Sequence, residues 1–458
     1  MFVQINNKNV SSMTAGLARL SRGSVNTAAR QRAVLHWIDW LGCVAAGSRA
    51  PVSGVLRSMN EGLGKGAGVC SLLGPAKDDW HATLLDAGPA NIEEMDDMHR
   101  EAILHPGPVI MPALAGLARE GLTAYQVLNA VVCGYEVMIR IGRALGPRHY
   151  FHWHNTATAG AFGAAAACSD ALGLRDELFV WSLGNAGTQA AGLWQVRMEP
   201  VMSKQLHTAH AAWVGRSAAQ MALAGFTGPQ FILEGERGFF AAMCPDGQPH
   251  MVLREESDWL IHGTSFKPWP SCRHTHGTID CVLGLRGRGA DALEFQDCVV
   301  ESFGDALNIC NNPAPRTRTE AKFSLQYCVA AAARFGALKP EHFDEEFVND
   351  PSLQRMVGRV RLQPAPELDE AYPAHYGARV TITEGGQART HMVVDSLGDP
   401  ERPMTTEDVL AKAETLMRYG RVGDARRDAA LSAARSLLVA DEALLSEPMP
   451  PALLQPLF

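Results

Sequence analysis

Two stretches, "TATAGAFGAAAACSDALG" (156–173) and "SKQLHTAHAAWVGRSAAQMALAG" (203–225), constrain the fold more than any other part of the chain. Each is long enough for a helix of several turns, and each is built mainly from Ala, Gly, Ser and Thr. Such a helix has few large apolar side chains with which to grip a neighbour. It packs stably only where the neighbouring backbones come close, which predicts the middle of a helix bundle.

The surrounding segments agree. "SVNTAARQRAVLHWIDWLGCVAAG" opens on Ser24 as a plausible N-cap and stops at Gly47. Pro108 suits the first turn of "PVIMPALAGLARE". "TAYQVLNAVVCGYEVMIRIGRAL" begins with Thr123 and Gln126 in capping-box spacing and keeps apolar residues at helical intervals.

From about residue 266 the texture changes. "LEFQDCVVESF" and "ARVTITEGGQARTHMVVD" are rich in β-branched residues, and Gly385-Gly386 in the second predicts a hairpin turn. "TEAKFSLQYCVAAAARFGA" between them reads as helix. After "LGDPERPM" the chain returns to helix, with Thr405 and Asp408 marking a start. The expectation is a mainly α protein with an α+β insertion: an all-helical part over 1–265, an α+β part over 266–400, and C-terminal helices over 401–458 that complete the helical part. "GLGKGAG" (62–68) fits neither glycine-rich phosphate-loop pattern and reads as a surface loop.

Composition narrows the function. A formal charge of −8 argues against nucleic acid as a partner but leaves room for a positive pocket that takes an anionic small molecule. Ten cysteines without close pairing point to reduced thiols and a cytoplasmic protein. No apolar run is long enough for a membrane span, and the N-terminus has no signal-peptide pattern.

The chemistry concentrates in a few segments. Of the sixteen histidines, eleven fall between residues 99 and 276. "EEMDDMHREAILHPGP" (93–108) places Glu93, Glu94, Asp96 and Asp97 close to His99 and His105. H-E-x-x-H is absent, as are the cysteine ligands of an iron–sulfur cluster, while Asp96 and Asp97 alone are weak evidence for magnesium. An acid–base reading uses what is present, with carboxylates orienting a histidine. "FHWHNTATAG" brings His154 to the mouth of the Ala-rich helix. In "SKQLHTAH", Lys204 and His207 share a face of the first turn, where a lysine beside free backbone N–H groups favours a carboxylate or phosphate. "FKPWPSCRHTHG" (266–277) sets Lys267, Cys272, Arg273, His274 and His276 where the two textures meet, and such junctions favour ligand clefts.

Taken in order, "DDMHREAILHPG", "HNTATAGAFGAAAA", "SKQLHTAHAA", "TGPQFILEGERGF", "FKPWPSCRHTH" and "KFSLQYCVAAA" resemble the MmgE/PrpD family, named for 2-methylcitrate dehydratase. The resemblance implies a helical domain from both chain ends with an inserted α+β domain, a homodimer, and a site in the cleft that needs neither metal nor organic cofactor. It implies chemistry next to a carboxylate on a small polycarboxylate: dehydration, decarboxylation or epimerisation. By position it assigns Glu94, His105, His154 and Lys204 to catalysis, and Cys272 falls where the decarboxylase branch carries a histidine. Three departures from that branch stand at Glu94 (for aspartate), Met98 (for threonine) and Ile309 (for tyrosine). Asp97, Lys267, Arg273 and His276 join Cys272 as substrate-binding candidates.

The expected activity is a cofactor-independent dehydratase of a hydroxy di- or tricarboxylate such as 2-methylcitrate. In it Lys204 holds a carboxylate, and His105 and His154 share the base and acid roles. An epimerase of a substrate such as iminodisuccinate uses the same proton abstraction. A catalytically inactive binding protein is the reading from a different class.

Overall fold

The computed structural model describes residues 12–62, 68–199, 201–286 and 292–458, so most of the 62–68 loop lies outside the described residues. The helical part is built around α1 (Thr27–Gly47), α2 (Gly107–Arg119), α3 (Ala124–Arg143), α4 (Asn155–Ala171) and α5 (Ser203–Leu223). Asn26, and not Ser24, caps α1, its side chain accepting from the Ala29 N–H. Thr123 and Gln126 form the expected capping box on α3.

The small residues do what their size allows. A methyl group on Gly134 of α3 would stand 2.8 Å from the Ala167 Cβ of α4, and one on Gly215 of α5 would stand 2.3 Å from the Ala164 Cβ. The three helices therefore touch almost backbone to backbone, with α4 buried along nearly its whole length.

The second part contains α6 (His276–Arg286) and α7 (Leu325–Phe335) over a four-stranded sheet. Its strands are β1 (Asp297–Ser302), β2 (Val360–Pro364), β3 (Ala378–Glu384) and β4 (Gln387–Val393), in the order β2-β1-β3-β4. β1 and β2 run parallel, the other pairs antiparallel, and Glu384 pairs with Gln387 across the Gly385-Gly386 turn. Cys298, Val300 and Ser302 alternate inward on β1, and the first two join residues of α6 and α7 in a core that runs from Trp269 to Val393. The stretch expected as one helix around residue 325 is broken after Lys322, and Ser324 caps the new start.

The chain then returns. α8 (Thr406–Tyr419) starts in a capping box of Thr405 and Asp408 and lies against α1, where Ala413 meets Gly42. Val409, Leu410, Ala413 and Met417 share one apolar core with Trp37, Leu41 and the helices of the first part. The two crossings between the parts run side by side, the Phe266 N–H donating to the Gly398 carbonyl at 3.2 Å. Gly398 has φ +92°, and a Cβ there would strike the Phe266 carbonyl oxygen, so this crossing requires glycine. Among the described residues no helix is long and apolar enough to cross a membrane.

Candidate active site

The acidic stretch forms a buried loop that ends at α2. Met98 and His99 pair with Ser265 and Thr264 in a short antiparallel ladder, so the loop is tied to the crossing that carries Lys267. Glu94 adopts φ +54°, a conformation costly for a residue with a Cβ, and the surrounding contacts hold it there.

Two lysines converge on Glu94. Lys204, in the first turn of α5, pairs with one carboxylate oxygen, and Lys267 stands 3.2 Å from the other. Lys267 is fully buried and also lies 3.8 Å from Asp96. Asp96 accepts from the Asn91 amide at 2.6 Å and faces His105 Nδ1 at 2.9 Å. Burial pushes the Glu94 carboxyl up, but Lys204 and Lys267 outweigh it and hold it at about 2. The same contest leaves Asp96 well below the usual carboxylate range, with His105 and then Lys267 as the opposing charges. Burial lowers Lys267, yet Glu94 and Asp96 raise it above an ordinary lysine. Glu94, Asp96 and Lys267 are thus all held in their charged forms.

His105 precedes the Pro106-Gly107-Pro108 start of α2, and its backbone N–H donates to Thr156 Oγ1 at 3.1 Å. Its Nδ1 lies 2.9 Å from both Asp96 Oδ2 and the Asp97 carbonyl. Both neighbours are acceptors, so Nδ1 carries a proton, and in the neutral ring the lone pair is on Nε2. His154 sits one residue before α4, its ring tilted against Trp194 with centroids 4.2 Å apart, and its Nδ1 is 3.3 Å from His207 Nδ1. Burial and then the positive charge of Lys204 keep its pKa well below that of a free histidine, which holds it neutral.

The sequence-derived candidates separate into two groups. Glu94, His105, His154, Lys204 and Lys267 come together, although Lys204 and Lys267 follow one another by sixty-three positions. Cys272 is close enough to Lys267 to raise its pKa and to Glu94 to feel that carboxylate's charge, and its thiol lies 3.2 Å from His274 Nδ1. Asp97 has no free oxygen to offer: it takes Tyr135 OH at 2.5 Å, the Gly107 N–H at 2.8 Å, and stands 2.7 Å from His36 Nδ1. Arg273 is buried against Asp399 and stands 3.0 Å from His276 Nδ1, while His276 Nε2 turns to the Ser271 carbonyl. Those three side chains brace the loop and the crossings.

The residue that sequence reasoning left out is Asp96. Neighbouring residues of a loop point in different directions, and nothing in "DD" says which one faces the histidine. Glu93 was likewise visible only as charge; it is buried against Lys322, 2.9 Å away, and Arg318. Among the described residues, one group with metal-ligand geometry stands elsewhere, at His375, Asp395 and Glu401. Arg100 already pairs with Asp395 at 2.9 Å and Glu401 at 2.7 Å.

Comparison with known proteins agrees with this layout. The MmgE/PrpD N-terminal domain model matches residues 12–252 and the MmgE/PrpD C-terminal domain model matches residues 269–437. A cis-aconitate decarboxylase of Aspergillus terreus is 26% identical over 430 residues, covering 87% of this chain and 86% of its own. The Mus musculus cis-aconitate decarboxylase is 24% identical over 359 residues, covering 72% of this chain and 70% of its own. A 2-methylcitrate dehydratase of Cupriavidus necator is 22% identical over 219 residues, covering 46% of this chain and 45% of its own.

Proposed function

This chain belongs to the MmgE/PrpD family, and from that premise we propose that it is a carbon–oxygen lyase that dehydrates a small hydroxy di- or tricarboxylate. The observation that carries the reading is the Asp96–His105 pair beside two lysines: a base with its proton fixed on the far nitrogen, next to cations that can neutralise a carboxylate.

The chemical difficulty is a weakly acidic C–H and a poor leaving group. Lys204, partly open to solvent, takes a substrate carboxylate and with Lys267 offsets the negative charge that builds on it as the proton leaves. His105 Nε2 removes the proton, and Asp96 stabilises the imidazolium that forms. The electron pair of the C–H bond becomes the alkene as the C–O bond breaks. The departing hydroxide recovers a proton from that imidazolium and leaves as water, while neutral His154 supplies a hydrogen bond to the leaving oxygen.

The reading needs no metal. Glu94 and Asp96 already face two ammonium groups, and a divalent cation there would meet both. A homodimer is part of the reading; exposed Phe151, Leu193, Met198 and Leu206 supply apolar surface suited to self-association, and sedimentation at a monomer mass would remove it.

A decarboxylase is the second reading, favoured by the activity for which the Aspergillus terreus and Mus musculus relatives are named. Against it stand Met98, Cys272 and Ile309, which provide no proton-bearing oxygen or imidazole at those positions. Proton NMR in D₂O with 2-methylcitrate, citrate, cis-aconitate and iminodisuccinate tests both. A new vinyl signal from a hydroxy acid supports dehydration. Loss of carbon dioxide from cis-aconitate establishes the second reading, and α-proton exchange without an alkene replaces both with an epimerase.

A further inference from the structure

The walls of the site differ in kind, and their charges can be counted. On one side stand Lys204 and Lys267 as cations and Glu94 and Asp96 as anions, which cancel. His154 is neutral, held so first by burial, and His207 is likewise lowered by burial, to about 4. The nearby cations are already engaged: Arg273 with Asp399, Lys322 with Glu93, and Arg318 with Glu93 and Asp344. His105 adds at most one positive charge. Beside Lys204 the surface is apolar. Met98, Ile309 and Phe323 belong to one cluster with Phe303 and Leu325, and the Phe323 ring centroid lies 6.0 Å from Lys204 Nζ. Cys272 joins that cluster and adds no positive charge: its hydrogen bond with Cys310, and then His274, hold its thiol well below an ordinary one. Ile309 and Phe323 are only half buried, so part of this apolar surface remains open beside the charged side.

A trianion placed here would leave at least two carboxylates without compensating charge, and one of them would press against apolar surface, where an unpaired charge is most costly. From this we infer that the substrate class is narrower than the lyase reading on which it rests: a hydroxy acid with no more than two carboxylates, carrying an alkyl substituent that packs on the Met98–Ile309–Phe323 side, in preference to a citrate-type tricarboxylate. One carboxylate docks at Lys204, and the alkyl group gains what an added methylene gains in a fitted apolar pocket, about tenfold or more in discrimination.

Calorimetric binding of unreactive acids to the full-length protein tests this apart from catalysis. 2-Ethylsuccinate is expected to bind at least about tenfold more tightly than succinate and than propane-1,2,3-tricarboxylate. The variant Ile309→Lys, checked for folding by circular dichroism, adds a cation to the apolar side and should reverse the order of 2-ethylsuccinate and the tricarboxylate. Equal or tighter binding of the tricarboxylate by the unaltered protein overturns the inference, as does failure of all three acids to bind. If Ile309→Lys does not fold, the order in the unaltered protein still decides. Turnover is read separately by NMR: a protein that dehydrates hydroxy acids yet favours the tricarboxylate sinks only this inference. One that orders the acids as stated but changes none of the hydroxy acids sinks only the lyase reading.

Discussion

Lys267 has no solvent-exposed surface, yet its ammonium group stands 3.2 Å from Glu94, a carboxylate held in the left-handed region of the backbone. Neither residue is at ease in isolation. A buried ammonium group needs an anion, and Glu94 keeps a strained φ because its two oxygens are claimed from opposite sides.

Lys267→Met removes one of the two cations that hold Glu94 ionised. We expect a loss of about 3 kcal/mol in stability, as for other buried pairs broken on one side. The Glu94 pKa should rise, since burial then meets less opposition. Urea denaturation and infrared titration of the carboxylates check both, and unchanged stability would remove Lys267 from the cluster's energetics.

His105→Gln keeps hydrogen-bonding capacity but removes the base. Turnover should fall about 10²- to 10⁴-fold. Thermal stability should change little, because Asp96 retains the Asn91 amide and Lys267. Full activity in this variant would transfer the base role to His154.

Stability should depend on pH through His36, whose pKa burial lowers from 6.5 to about 4 against the pull of Asp97. Between these values the unfolded chain takes up a proton that the folded one refuses. The contribution is therefore complete above pH 6.5 and is lost as the pH falls toward 4, by about 3 kcal/mol at most. Glu94 has the same sign lower down, between its ordinary 4.5 and about 2. Denaturation above and below the upper window, with His36→Gln as the control that flattens it, provides the check.

Chelator treatment should leave turnover unchanged. If activity vanished with chelator and returned with a divalent ion, the His375–Asp395–Glu401 group and the Glu94–Asp96 pair would both need new roles.

Arg100→Ala should loosen the join between the acidic loop and the second crossing, because Arg100 holds Asp395, Asp399 and Glu401 at once. A rise in KM larger than the fall in kcat is expected, and the reverse would place Arg100 nearer the chemistry than the structure does.

Local order was legible in the residues themselves. Periodicity and caps located the helices and the Gly385-Gly386 hairpin, because those features depend on neighbours within a few positions. The small residues around Gly163 and Gly215 announced close helix packing for the same reason, while the matching approach at Gly134 came only with the structure. Where local cues compete, as with Ser24 and Asn26, the N-cap reading slipped by a turn's fraction.

The site was legible as an inventory of residues and not as an arrangement. Sequence by itself determined that acids, histidines and lysines with the family's spacing were present, and that helical and β-rich parts met near residue 266. Only the tertiary structure decided that Asp96 and not Asp97 faces His105, that Arg273 and His276 are committed to Asp399 and the Ser271 carbonyl, and that the apolar Phe323 cluster stands beside Lys204. The reason is physical: a charge has its effect over a few ångströms in space, and which charges lie that close is set by the docking of segments far apart along the chain.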